Sequence, residues 1–145
     1  MRPDDKITRI ENIKDLYILD ATDKEKEWLS DYDKMEGYKI QTYQQSIYLL
    51  IDNEQSCCEN WGYFFTEDNP DDFIGADVIS VKITDTARNV EKYEIDHLDE
   101  DTHVLMVDIE TSKGVLQFVA YNQHNGYYGH RACVVSKDIR HWDCL

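Results

Sequence analysis

The sequence predicts an α+β domain: a mainly antiparallel sheet of about six short strands with one clear N-terminal helix at about residues 23–35. Two observations carry this. A capped, one-faced apolar pattern fills residues 22–37, and beyond Gly37 the hydrophobic period changes from helical to two. At 145 residues the chain is one domain with a single core. Residues 1–36 read as an N-terminal helical segment of that fold, and residues 37–145 as its antiparallel β-rich core.

The helix rests on TDKEKEWLSDYDKMEG (22–37). Thr22 with Glu25 three residues on forms a capping box, in which each side chain satisfies a free backbone N–H of the first turn. Trp28, Leu29, Tyr32 and Met35 share one helical face, and Gly37 supplies a left-handed stop. Upstream, Ile7, Ile10 and Ile13 imply a short helical turn and LYIL (16–19) a strand. Downstream, YKIQTY (38–43) and SIYLLID (46–52) read as paired strands, and CENWGYFFT (58–66) as extended. In ADVISVKIT (76–84), Ile79, Val81 and Ile83 alternate with Ser80, Lys82 and Thr84. HVLMVDIE (103–110) and VLQFVAY (115–121) flank TSKG, a hairpin signal, and RACVVS (131–136) is the last clear strand.

Composition narrows the function classes. Aromatics at 12% and only two prolines mark a folded chain. The net charge is −15, from 30 acids against 15 bases, so polyanions are repelled and a basic protein surface is the natural partner. Direct binding to nucleic acid is therefore not expected. No stretch approaches the roughly 20 apolar residues that span a bilayer, and MRPDDKITRIENIKD has no signal-peptide core. The expected location is the cytoplasm, with Cys57, Cys58, Cys133 and Cys144 reduced.

The stretch NQHNGYYGHRACV (122–134) holds the densest set of reactive residue types. His124 and His130 with Cys57 and Cys58 have the chemistry of zinc ligands. Adjacent residues of a strand point to opposite faces, however, and no second metal-spaced pair supports the site. A cysteine nucleophile beside His124 or His130 and Asn125 has suitable types but no local hydrolase signature. Neither GxxxxGK[ST] nor GxGxxG occurs, which leaves phosphate-loop chemistry without a basis. The residues thus call for no catalytic group, metal or cofactor. Asn125-Gly126 is a strong hairpin signal, so the stretch reads as a turn that also displays contact residues.

The acids are concentrated. Residues 91–110 carry eight acids and one base, and residues 61–72 carry four acids and no base, whereas residues 111–145 are mildly positive. Duplex DNA carries one charge per roughly 1.7 Å of axis, and carboxylates along strands and loops can imitate that field. Glu91, Glu94, Asp96, Asp99, Glu100 and Asp101 fall within eleven residues.

Two motifs, SCCENWGYF (56–64) and YNQHNGYYGH (121–130), resemble those of a family of small proteins from bacteriophages and mobile elements. The similarity covers about residues 38–136 and leaves out the N-terminal part. It implies a setting in which small acidic proteins inhibit host-defence nucleases, as anti-CRISPR proteins and DNA mimics do.

Charge and resemblance together imply a non-enzymatic inhibitor of a basic nucleic-acid-binding protein of the host bacterial cell, with a Cas9-type nuclease as the expected partner. Its contact residues would be Glu91, Glu94, Asp96, Asp99, Glu100 and Asp101 with Glu67, Asp68, Asp71 and Asp72. Trp61, Tyr127 and Tyr128 would serve as apolar anchors. The alternative is a binder of a nucleotide signal, with His124, Asn125, His130 and Arg131 lining its pocket. A Cys/His hydrolase is a third reading.

Overall fold

The structure, a computed structural model, describes residues 4–16, 34–53, 60–88, 102–123 and 129–145. Strands β1 (Ile7–Leu16), β2 (Met35–Thr42), β3 (Ser46–Asp52), β8 (Arg131–Val135) and β9 (Arg140–Cys144) form a five-stranded sheet in the order β1-β2-β3-β8-β9. Strands β4 (Asn60–Phe65), β5 (Val78–Thr84), β6 (Thr102–Thr111) and β7 (Gly114–Gln123) form a second sheet in the order β4-β7-β6-β5. Every pairing is antiparallel.

The α+β expectation is therefore corrected to all-β. Among the described residues there is no α-helix, only a 3-10 turn at Pro70–Phe73. Most of the expected helix at 23–35 lies outside the described residues. Its last residue, Met35, opens β2, and Gly37 sits inside that strand rather than at a helix stop. Ile7, Ile10 and Ile13, expected in a short helical turn, lie in β1, an edge strand of the five-stranded sheet.

A bulge explains why β1 reads as a helical turn. Between Ile7 and Arg9 the strand advances two residues while β2 advances one. The extra residue lets Ile7 and Ile10, three apart, both face the main core, whereas a regular strand would place them on opposite faces. Ile13, three further on and beyond the bulge, falls on the other face. The same device acts in β5, where a register shift between Val78 and Ser80 sends both Val78 and Val81 inward. Ile79, expected beside Val81, is instead 49% exposed.

The sheets cross over one another. Before β1, Lys6 bridges to Asp77 at the start of β5. Six residues later, Asn12 Nδ2 donates to Tyr63 Oη on β4. β5 and β4 are opposite edges of the four-stranded sheet. Six residues of strand span about 20 Å, against about 14 Å across four strands, so β1 traverses the sheet it packs on.

Between the sheets lie Ile40, Ile47, Leu49, Ile51, Ala132 and Val134 from one side, and Leu105, Val107, Ile109, Leu116, Phe118 and Ala120 from the other. Tyr38, Tyr63 and Phe65 ring Phe118 with centroids 6.0–6.3 Å from it. The far face of the five-stranded sheet is apolar and buried too, with Met35, Tyr48, Leu50, Cys133 and Val135. That accounts for SIYLLID, a near-continuous apolar run, because central β3 is buried on both faces. The TSKG hairpin forms as expected between β6 and β7, with Gly114 at φ 122°. The hairpin expected at Asn125-Gly126 does not join paired strands. β7 pairs with β4 and β6, and β8 with β3 and β9, so residues 124–130 connect one sheet to the other. Residues 53–59 likewise link β3 to β4 across the sheets.

Candidate functional site

Both inter-sheet connections leave from one end of the molecule, and a buried polar cluster closes that end. His130, just before β8, is 1% exposed. Its Nδ1 lies 2.9 Å from the backbone carbonyl of Asp52 and 2.9 Å from Asp52 Oδ1. Both partners are acceptors, so Nδ1 carries the proton and donates. Asp52 Oδ2 accepts the Arg131 N–H at 2.7 Å. The His130 and Leu145 backbones exchange hydrogen bonds of 2.9 and 2.7 Å, and Asn122 Nδ2 donates to the Leu145 carbonyl at 3.0 Å. Trp61 stacks on the imidazole, with centroids 5.1 Å apart and planes 28° apart.

The cluster joins the two sequence motifs. Trp61 and Gly62 of the first pair with Asn122 and Tyr121 of the second. A Cβ on Gly62 would lie 2.6 Å from Tyr121 Oη, so the glycine leaves room for the tyrosine ring across the strand pair. His130 and Trp61 are thus built into the interior. Trp61, half-buried, packs against the main core, and His130 is enclosed by its partners. Arg131 is exposed, its guanidinium 5.8 Å from the Trp142 ring centroid. His124, Asn125, Tyr127 and Tyr128, with Cys57 and Cys58, lie outside the described residues. Sequence reasoning missed Asp52, Asn122 and Leu145. The available signal for Asp52 was a carboxylate closing an otherwise apolar strand.

The acidic candidates divide. Glu91, Glu94, Asp96, Asp99, Glu100 and Asp101 lie outside the described residues. Glu67 is turned into the fold: its Oε2 accepts the Thr66 hydroxyl at 2.7 Å and the Gln117 N–H at 3.2 Å, and its Oε1 faces Arg88 at 3.9 Å. Asp68, Asp71 and Asp72 are exposed. The turn that carries them is firmly held. Asn69 caps it by accepting the Asp71 N–H, Pro70 fixes its first residue, and Phe73 is buried. Lys113 Nζ donates to the carbonyls of Ile74 at 3.1 Å and Asp72 at 3.4 Å, tying the turn to the β6–β7 hairpin.

At the junction of β1, β2 and β4, Tyr63 donates to Glu36 Oε2 and accepts from Asn12. Burial first, and then the Glu36 carboxylate, hold its phenol well above the ordinary value. Among the described residues no three His, Cys, Asp or Glu side chains are placed to hold a metal ion. Of the described cysteines, Cys133 is buried and Cys144 exposed. No helix of the described residues is long and apolar enough to cross a membrane.

A family described as a domain of unknown function, DUF7448, matches residues 5–134. The chain belongs to that family. The matched span begins before β1 and ends within β8, so it includes the N-terminal strand that the motif resemblance left out. No curated protein and no solved structure matches the chain.

Proposed function

We propose that this family member is a non-enzymatic inhibitor that binds a basic nucleic-acid-binding protein of host defence and occupies its phosphate-binding surface. The observation that carries the reading is the acid excess: −15 over 145 residues, gathered at 61–72 and 91–110 rather than spread evenly. Such a field steers a basic partner and weakens with salt. The capped turn bearing Asp71 and Asp72 supports it, since a backbone already held in place loses little freedom on binding. The nucleotide-pocket reading gains less. His130, one of its four residues, is enclosed and spends Nδ1 on Asp52.

A Cas9–guide complex is the partner to try first, with cleavage of target DNA as the readout. The unaltered protein is expected to suppress cleavage. Reversal of Glu94, Asp96 and Asp99 to Lys should weaken inhibition about tenfold or more, and Asp71→Lys with Asp72→Lys should weaken it further. Unchanged inhibition in the combined variant would exclude charge mimicry.

A further inference from the structure

At the end of the molecule opposite His130, a groove of about 170 Å³ opens between the turns and the start of β5. Gln44 and Gln45 of the β2–β3 turn and Lys137 and Asp138 of the β8–β9 turn form its rim, Val78–Val81 one wall, and Asp5 lines it as well. The volume is well below the roughly 300–1,000 Å³ of small-molecule sites. It suits one long side chain.

Asp5 sets the chemistry. The residue is 4% exposed, yet among the described residues its carboxylate has only neutral partners: the Gln44 N–H at 3.0 Å on Oδ1 and Gln45 Nε2 at 2.8 Å on Oδ2. Aspartate is almost never buried so fully without a cation, because desolvation of the charge is costly. Each oxygen retains acceptor capacity for a further donor. In the mostly polar lining, Val78, Ile79 and Val81 add aliphatic surface on one wall, and the β5 bulge turns Ile79 outward there. Lys137, the cation of the lining, is engaged elsewhere, with its Nζ donating to Gln44 Oε1 at 2.8 Å.

A carboxylate at depth, aliphatic side chains on one wall and a second carboxylate at the rim match a cation on an aliphatic stem. We infer that the groove receives an arginine or lysine side chain of the protein partner, with its charged head at Asp5 and Asp138 and its stem along Ile79 and Val81. The inference rests on the reading of a basic partner given above and adds one defined contact to it.

The test is an NMR titration of the full chain with three probes: a short arginine peptide, the same peptide carrying neutral citrulline, and spermidine. Saturable shifts at the amides of Gln44, Gln45, Ser80, Val81 and Lys137 are expected with the arginine peptide and not with citrulline. Asp5→Asn should weaken binding about tenfold or more. Since that substitution also disturbs two internal hydrogen bonds, the exposed rim provides an independent check. Asp138→Asn should weaken binding, and Lys137→Gln should tighten it, each about twofold to fivefold. Equal shifts with citrulline, shifts mapping to other residues, or no response to both rim variants would overturn the site. Spermidine binding the groove more tightly than the peptide would overturn the side-chain assignment in favour of a small polyamine. The cleavage assay with acid reversals reads the partner hypothesis separately, so either can fail alone.

Discussion

Gly37→Ala is expected to destabilise the fold by at least about 3 kcal/mol, beyond the usual cost of one added methyl in a packed interior. Gly37 lies in β2 opposite Leu50 of β3, and a Cβ there would meet the Leu49 carbonyl oxygen at 1.9 Å. The obstacle is backbone of the central strand, so no side chain can swing aside. The residue's φ of +154° adds strain for any L side chain. Domains of this kind are stable by about 5–15 kcal/mol, so one methyl group removes a large share. Thermal unfolding should show the midpoint lowered by about 10 °C, or no folded protein at all. A midpoint lowered by less than about 3 °C would mean that β2 and β3 do not approach in this register.

Asp52→Ala is expected to cost about 2–3 kcal/mol, the scale of leaving buried donors poorly matched. The carboxylate serves the His130 Nδ1–H and the Arg131 N–H at once. The Asp52 carbonyl still accepts from the imidazole in the variant, which limits the loss. Asp52→Asn should recover little, because its amide nitrogen sets a donor against a donor at one of the two positions. Urea unfolding measures the cost, and faster amide exchange at His130 and Leu145 would localise it. A change below about 0.5 kcal/mol would mean that the cluster is not a stabilising element.

Much of the strand content was legible because alternation survives in β2 and the second half of β6, and near-continuous apolar runs mark β3 and β7. β1 was not, since its bulge gives Ile7 and Ile10 the three-residue spacing of a helix. β9, RHWDC, is a mostly polar edge strand with no apolar alternation to betray it. Gly37 was ambiguous in kind, as a glycine ends helices and also permits close strand approach. The Asn125-Gly126 signal promised a hairpin, but local turn chemistry cannot tell whether the flanking strands share a sheet. The site was half visible. The two motifs marked Trp61 and His130, while Asp52 lies 78 residues from His130 and nothing local joins them.

The central claim is a salt-sensitive, DNA-excluding contact with a basic partner, and binding to a Cas9–guide complex at two salt concentrations, with and without target DNA, tests it most directly. The expected result is an affinity that falls steeply as salt rises, with target DNA and the protein displacing one another. Absence of binding would remove this partner, and binding indifferent to both salt and DNA would contradict the mimicry itself.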